Sequence, residues 1–292
     1  MSAEPLRDAG ARRPAEPLDI DGFRLAPWEL ADGRADMERP RRPHDGAAPS
    51  VPPSTALWQE IRGLAQETAR REPPLRPLLA RTVLHHETPA GIAEAVLSRW
   101  LPAGLQGLVA DTLSGDAAML ERLAEDIATA CARDPACRSP LHALLHLKGL
   151  QALQLHRVAH RLWQAERRAT AQAVAAAACE RLAVDIHPAV PVGRRVLLDH
   201  ATGVVVGETA VVEDDVTLLH GVTLGATGKH RGDRHPKVRR GATLGAGATV
   251  LGAIEVGAWS RVGAGSVVLD AVPAHATVVG APARVVREEA AA

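Results

Sequence analysis

The chain has 292 residues, enough for about two domains with a sizeable core. Lys plus Arg and Asp plus Glu number 34 each, so no net charge draws it to nucleic acid or to an anionic membrane. Five Trp, one Phe and no Tyr are too few rings for a base-stacking platform, and they point to a core of Val, Leu, Ile and Ala.

The three cysteines, Cys131, Cys137 and Cys179, are odd in number and lack C-x-x-C spacing. That argues against a disulfide framework or a cysteine zinc site and for a reducing compartment. The first residues carry charges and prolines where a signal peptide needs an apolar run, and no stretch of about 18 apolar residues exists. A cytoplasmic protein with no membrane segment is expected.

Residues 1–53 hold nine of the 21 prolines and no sustained periodicity. Such a segment buries too little apolar surface to offset its ordering entropy, so it reads as a disordered extension. Residues 54–182 read as an all-helical domain. Ser54 caps a stripe of Leu57, Ile61 and Leu64, and Thr88-Pro89 opens one of Ile92, Val96 and Trp100. Leu120, Leu123 and Ile127 mark a further face. Ser139-Pro140 opens a long helix running through Leu141, Leu144 and Leu145 to Leu162.

From Val184 the texture changes, with Pro188, Pro191 and frequent Gly forbidding long helices. Stepping by six from Ile186 gives Val192, Leu198, Val204, Ala210, Val216 and Val222. The series resumes at Val238 with Leu244, Val250, Val256, Val262 and Val268. Twelve of these 13 stations are Ile, Leu or Val, which chance does not produce. A period of six fits a parallel β-helix over residues 183–287, with three sides and about 18 residues per coil. Its narrow prism admits stacked Val and Ile but not rings, which accounts for Trp259 being the one aromatic there.

The repeat breaks between Val222 and Val238, a gap of two hexads plus four residues. Gly228 to Lys237 carries four Lys or Arg and two His in ten residues, and loops that interrupt a solenoid often hold function. Asp185 lies 15 residues before His200, which in an 18-residue coil puts the two on neighbouring rungs at one corner. A carboxylate beside an imidazole suits a general base acting on a substrate hydroxyl, and it also suits a structural hydrogen bond. The histidines His187, His200, His220, His230 and His235 raise metal binding as an alternative. Arg234 beside a candidate ligand argues against a metal and for an anionic substrate group.

Long stretches then resemble serine O-acetyltransferase: Val184 to Ala189, Leu198 to Thr209, Val222 to Lys229 and Gly232-Asp233-Arg234-His235-Pro236-Lys237. Upstream, Arg133 to Ala136, Leu147-Lys148-Gly149, Gln151 to Gln154, His156-Arg157 and His160 are similar to that family's helical half. The resemblance covers roughly residues 54–287. It implies a left-handed β-helix of hexapeptide repeats and acetyl transfer from acetyl-CoA to L-serine, without a metal, in cysteine biosynthesis. By motif, His200 is the general base and Asp185 its partner. Asp134, Asp199, Arg234 and His235 form the serine site, His235 also being catalytic. Thr227, Ala246 and Ala264 lie along acetyl-CoA in a groove between copies of a homotrimer or dimer of trimers. The chain ends in Arg287 to Ala292, where well-studied members carry a longer tail, so a complex with O-acetylserine sulfhydrylase is not expected. Ala226 stands where the family often has Gly. Another hydroxyl acceptor, homoserine or a sugar, is the competing substrate.

Overall fold

The computed structural model describes residues 19–20, 23–24, 54–228 and 231–288. The proposed 1–53 extension therefore lies outside the described residues, apart from β1 (Asp19–Ile20) and β2 (Phe23–Arg24), which pair antiparallel. His230 and the tail beyond Glu288 also lie outside them. No described helix is long and apolar enough to cross a membrane.

The helices follow the apolar stripes. Helix α1 (Ser54–Arg71) buries Leu57 and Ile61, and the short α2 (Arg76–Leu79) buries Leu79. Thr88 caps α3 (Pro89–Leu97) by accepting a hydrogen bond from Gly91 N at 3.1 Å. After α4 (Gly107–Ser114) comes α5 (Ala117–Arg133), capped by Asp116 and burying Leu123 and Ile127. Ser139 caps α6 (Pro140–His146), accepting from His142 N at 3.1 Å.

The single long helix expected from Ser139 is in fact two. It breaks at Leu147, whose backbone is extended at φ −81° and ψ 96°, and resumes as α7 (Lys148–Gln164). The break lets α7 begin against the first β coil. A Cβ on Gly149 would sit 1.9 Å from the Leu198 carbonyl oxygen, so only glycine fits there. Gly149→Ala is expected to cost about 3 kcal/mol or more, read as a loss of denaturation midpoint. An unchanged midpoint would contradict this packing.

Along α7 the buried polar residues fasten it to that coil. His156 Nε2 donates to Val190 O at 3.0 Å, and Arg157 reaches Val192 O at 3.1 Å and Gly193 O at 2.8 Å. Arg157 also pairs with buried Asp126 at 2.9 Å. Helix α8 (Arg168–Leu182) then ends at Ala183, whose left-handed φ of 55° turns the chain into the first strand.

The remainder is the left-handed parallel β-helix. Its first face stacks β3 (Val184–Ile186), β5 (Val204–Val206), β8 (Thr223–Gly225), β11 (Thr249–Leu251) and β14 (Val267–Val268). The second stacks β6 (Val211–Val212), β9 (Lys237–Val238) and β12 (Glu255–Val256). The third stacks β4 (Leu197–Asp199), β7 (Thr217–Leu219), β10 (Thr243–Leu244), β13 (Arg261–Val262) and β15 (Ala276–Gly280), closed by antiparallel β16 (Ala283–Glu288). Twelve of the 13 hexad stations are buried, and Val192 is half-buried.

The coils are not uniform. Val206 pairs with Leu224 and Thr249 with Val267, 18 residues apart, as the period requires. Ile186 pairs with Val206, so the first coil holds 20. Leu224 pairs with Val250, a coil of 26, so the functional loop inserts eight residues rather than four. The two extra residues of the first coil fall at His200 and Ala201, with left-handed φ of 54° and 58°.

A buried carboxylate locks the helical and β regions together. Asp215 accepts from Arg195 at 2.7 Å, from Arg133 of α5 at 3.1 Å and from Arg240 at 3.1 Å. Burial alone would raise its pKa, but the three guanidinium groups hold it below the usual carboxylate range.

Candidate active site

A cavity of about 410 Å³ lies where the C-terminal end of α5, α6 and the start of α7 meet β4. Asp134, Asp199 and His200 line it, together with Asp126, His142, His146, Lys148 and Thr202. Asp134 ends α5, and one of its carboxylate oxygens accepts from Ala136 N at 2.8 Å, fixing the turn. His146, beside His142 at 5.7 Å between ring centroids, has its pKa lowered by burial and then by His142.

His200 stands on the two-residue bulge at the corner between the third and first faces. The bulge is tight: Ala201 N donates to Asp199 O at 2.6 Å and Thr202 N to His200 O at 2.8 Å. Lys148 Nζ bonds Thr202 Oγ1 at 2.5 Å, tying the bulge to α7. The imidazole is 75% exposed, with Nε2 3.7 Å from Asp199 Oδ1.

Asp185 makes no hydrogen bond or ion pair among the described residues. It points outward from β3, paired in register with Val205, and the expected contact with His200 is not formed. The reason is the coil length. With 20 residues rather than 18, the bulge turns the ring toward Asp199 and toward His220, whose ring lies edge-on at 5.9 Å.

Above His200 the same corner rises as a column. Gly221 N donates to Thr202 O, Gly247 N to His220 O and Gly265 N to Ala246 O, each at 2.8 Å. Gly203, Gly221, Gly247 and Gly265 all have positive φ, and a Cβ on Gly221 would come within 3.3 Å of the Gly247 Cα. Ala246 and Ala264 belong to this smooth column. Thr227 does not: it lies at the next corner, 3.6 Å from where a Gly252 Cβ would be.

Arg234 and His235 also occupy that next corner, between the first and second faces. Thr209 is their hub. Its Oγ1 accepts from Arg234 N and His235 N at 3.0 Å and donates to His235 Nδ1 at 2.8 Å. Thr209 N donates to the same Nδ1 at 3.2 Å, which assigns the ring proton to Nε2. A Cβ on Gly207 would lie 2.0 Å from that Nε2, so the ring fills the space a side chain would take. Burial, then the Arg234 charge, lowers the His235 pKa, so a buried neutral imidazole holds its Nε2 proton as a donor. Arg234 Nη2 pairs with Glu208 at 2.7 Å and holds that carboxyl below its usual range.

One chain thus brings together Asp134, Asp199 and His200, and separately Arg234 and His235, with the whole first face between. The reading of the sequence missed Thr209, Lys148 and His220. Thr209 lies inside a quoted motif, and His220 follows His200 by one true coil. Among the described residues no group of three or more His, Cys, Asp or Glu is placed to hold a metal ion.

Known proteins agree on one family. The family description "Serine acetyltransferase, N-terminal" matches residues 57–155. A serine acetyltransferase of Haemophilus influenzae is 43% identical over 242 residues, covering 81% of this chain and 91% of that protein. A soybean serine acetyltransferase complexed with serine superposes with a TM-score of 0.78 at 45% identity, covering 80% of this chain and 100% of the other. A Brucella abortus serine acetyltransferase in complex with coenzyme A gives 0.78 at 41%, covering 81% and 97%. With this identity spread over both the helical and the β-helical regions, the chain belongs to the serine acetyltransferase family.

Proposed function

We propose that this chain moves the acetyl group of acetyl-CoA to the hydroxyl of L-serine, giving O-acetylserine and CoA. The observation that carries this is the shared cavity of Asp134, Asp199 and His200 at the foot of the Ala246–Ala264 column. The carboxylates suit an ammonium, and the column suits an extended pantetheine arm lying close to the backbone.

In this reading His200 is the general base. Its imidazole takes the serine hydroxyl proton as that oxygen attacks the thioester carbonyl. The C–S bond of the tetrahedral intermediate then breaks, and the departing thiolate takes the proton from His200. Nothing fixes the exposed ring in place, so it can turn from Asp199 to Asp185 when Asp199 engages the ammonium. Asp185 then orients the imidazole.

Serine also needs a partner for its carboxylate. Arg234 and the neutral His235 Nε2–H suit it, but they stand at the other corner of the same prism. The complete site is therefore built by two copies, the His200 corner of one facing the His235 corner of the next in a closed trimer. Acetyl-CoA lies in that groove, against Ala246 and Ala264 of one copy and Thr227 of its neighbour. The helical regions join trimers in pairs.

Release of free thiol from acetyl-CoA tests the acceptor, with L-serine, L-homoserine and a sugar panel offered in turn. Release with L-serine is the expected result. Release with homoserine or a sugar, and none with serine, would overturn it.

A further inference from the structure

Cys131 and Cys137 were read as unlinked thiols, and they are free. Their sulfurs nevertheless lie 3.4 Å apart. Cys137 Sγ donates its proton to Ser139 O at 3.6 Å, which leaves Cys131 as the donor toward Cys137. Both residues are half-buried. Cys131 sits in the last helical turn before Arg133, and Cys137 follows the turn that Asp134 begins. Cys137 N donates to Asp134 O at 2.9 Å, so the second thiol is hydrogen-bonded to the backbone of the residue that lines the cavity.

We infer that Cys131 and Cys137 are a redox modification site, closed by a peroxide to a disulfide that shifts Asp134. A disulfide needs the sulfurs at about 2.05 Å, so one side must move by more than an ångström. Cys131 is held in helix α5 by main-chain hydrogen bonds, whereas Cys137 follows a short turn. The turn moves, and Asp134 moves with it.

The chemistry balances. Cys137–SH is oxidised by hydrogen peroxide to Cys137–SOH, and one water leaves. The Cys131 sulfur then attacks the Cys137 sulfur, the S–O bond breaks, and a second water carries off the hydroxyl and the Cys131 proton. Two thiols give up two electrons, and the peroxide is reduced to two waters. Burial, then the bond to Cys137, pushes the Cys131 thiol up to about 12, so Cys131 is the resolving partner and not the first to react. Cys179 has no thiol partner among the described residues and stays reduced.

The effect on catalysis rests on the proposed role of Asp134, whereas the bond itself does not, so the two are measured separately. The full-length protein is treated with hydrogen peroxide, digested without reductant and examined by mass spectrometry, and its free thiols are counted. A linked Cys131–Cys137 peptide, with Cys179 still free, is the expected result. Independent oxidation of the thiols without that peptide would overturn the site. In the acetyl-transfer assay, kcat/KM for serine should fall about tenfold or more, because a misplacement of about 1 Å at a substrate contact costs up to about a hundredfold. A thiol reductant should restore it. Cys131→Ser and Cys137→Ser should each keep basal activity and lose the response to peroxide. A linked peptide with unchanged serine kinetics would refute the coupling to Asp134. No transfer to serine before oxidation would instead count against the proposed function.

Discussion

Replacing His200 by alanine is expected to lower kcat by about a hundredfold or more, the loss that follows removal of a general base. His200→Asn is the better-behaved variant, since asparagine tolerates the left-handed backbone that His200 occupies at φ 54°. His235→Asn should also be strongly impaired, for a different reason: it removes a donor that, in this arrangement, comes from the neighbouring copy. The two variants therefore complement each other. Co-refolded in equal amounts, random trimers should contain intact sites in about a quarter of positions, since each site draws His200 from one copy and His235 from the next. Recovery of about a quarter of the unmodified activity supports the shared site. No recovery would place both histidines in one chain's site, or show that the corners never meet. Comparing Asp185→Asn with Asp199→Asn separates the remaining roles. The orienting carboxylate should lower kcat, and the ammonium partner should raise the KM for serine.

The hexad period made the prism legible because each coil turns an aliphatic residue inward at a fixed interval. It also concealed the bulge that matters most. In this β-helix the residue two places before each inward station is often aliphatic as well, as Val204 is before Val206 and Val222 before Leu224. Two inserted residues at His200 and Ala201 therefore shift the count from one aliphatic row to the other without an apparent gap. The same slip makes the functional loop look four residues long when it is eight. Asp185 and His200 were expected in contact on the strength of an 18-residue coil, and His220 was left unassigned for the same reason.

The helical half was less legible still, because its key contacts are between distant segments. Caps at Thr88 and Ser139 are local, so the residues themselves announce them. The break at Leu147 is not local. It is demanded by the approach of Gly149 to Leu198, which nothing in the intervening sequence signals. The run from Gln151 to His160 was readable only as a family motif, and its role as the fastening of α7 to the first coil is a tertiary fact. Candidate site residues were recognisable by motif in the same way. Their division between two corners required the stacking order of the coils.

The buried histidine of that fastening has a measurable consequence for stability. His156 is 5% exposed, its Nε2–H bonds Val190 O, and its Nδ1 has no partner among the described residues. Burial first, then the charges of His160 and Arg157, lower its pKa from 6.5 to about 3. The folded chain therefore keeps His156 neutral where the unfolded chain protonates it. Stability from this residue is complete above about pH 6.5 and is lost as the pH falls toward 3, because there the unfolded state binds the extra proton. The slope is about 1.4 kcal/mol per pH unit, so roughly 3 kcal/mol should vanish between pH 6.5 and 4.5. Asp215 acts in a different window. Its depressed pKa supplies stability above the ordinary carboxylate value of 3.8 and loses it only below, so it leaves the range above pH 4.5 to the histidine. Urea denaturation of the native assembly at pH 7.5, 6.5, 5.5 and 4.5 should show this decline. In His156→Gln, which can still donate to Val190 O, absolute stability falls, but the slope between pH 6.5 and 4.5 should flatten. Equal slopes in the two proteins would mean that the acid sensitivity lies in other histidines, and that the junction between α7 and the first coil tolerates a charge.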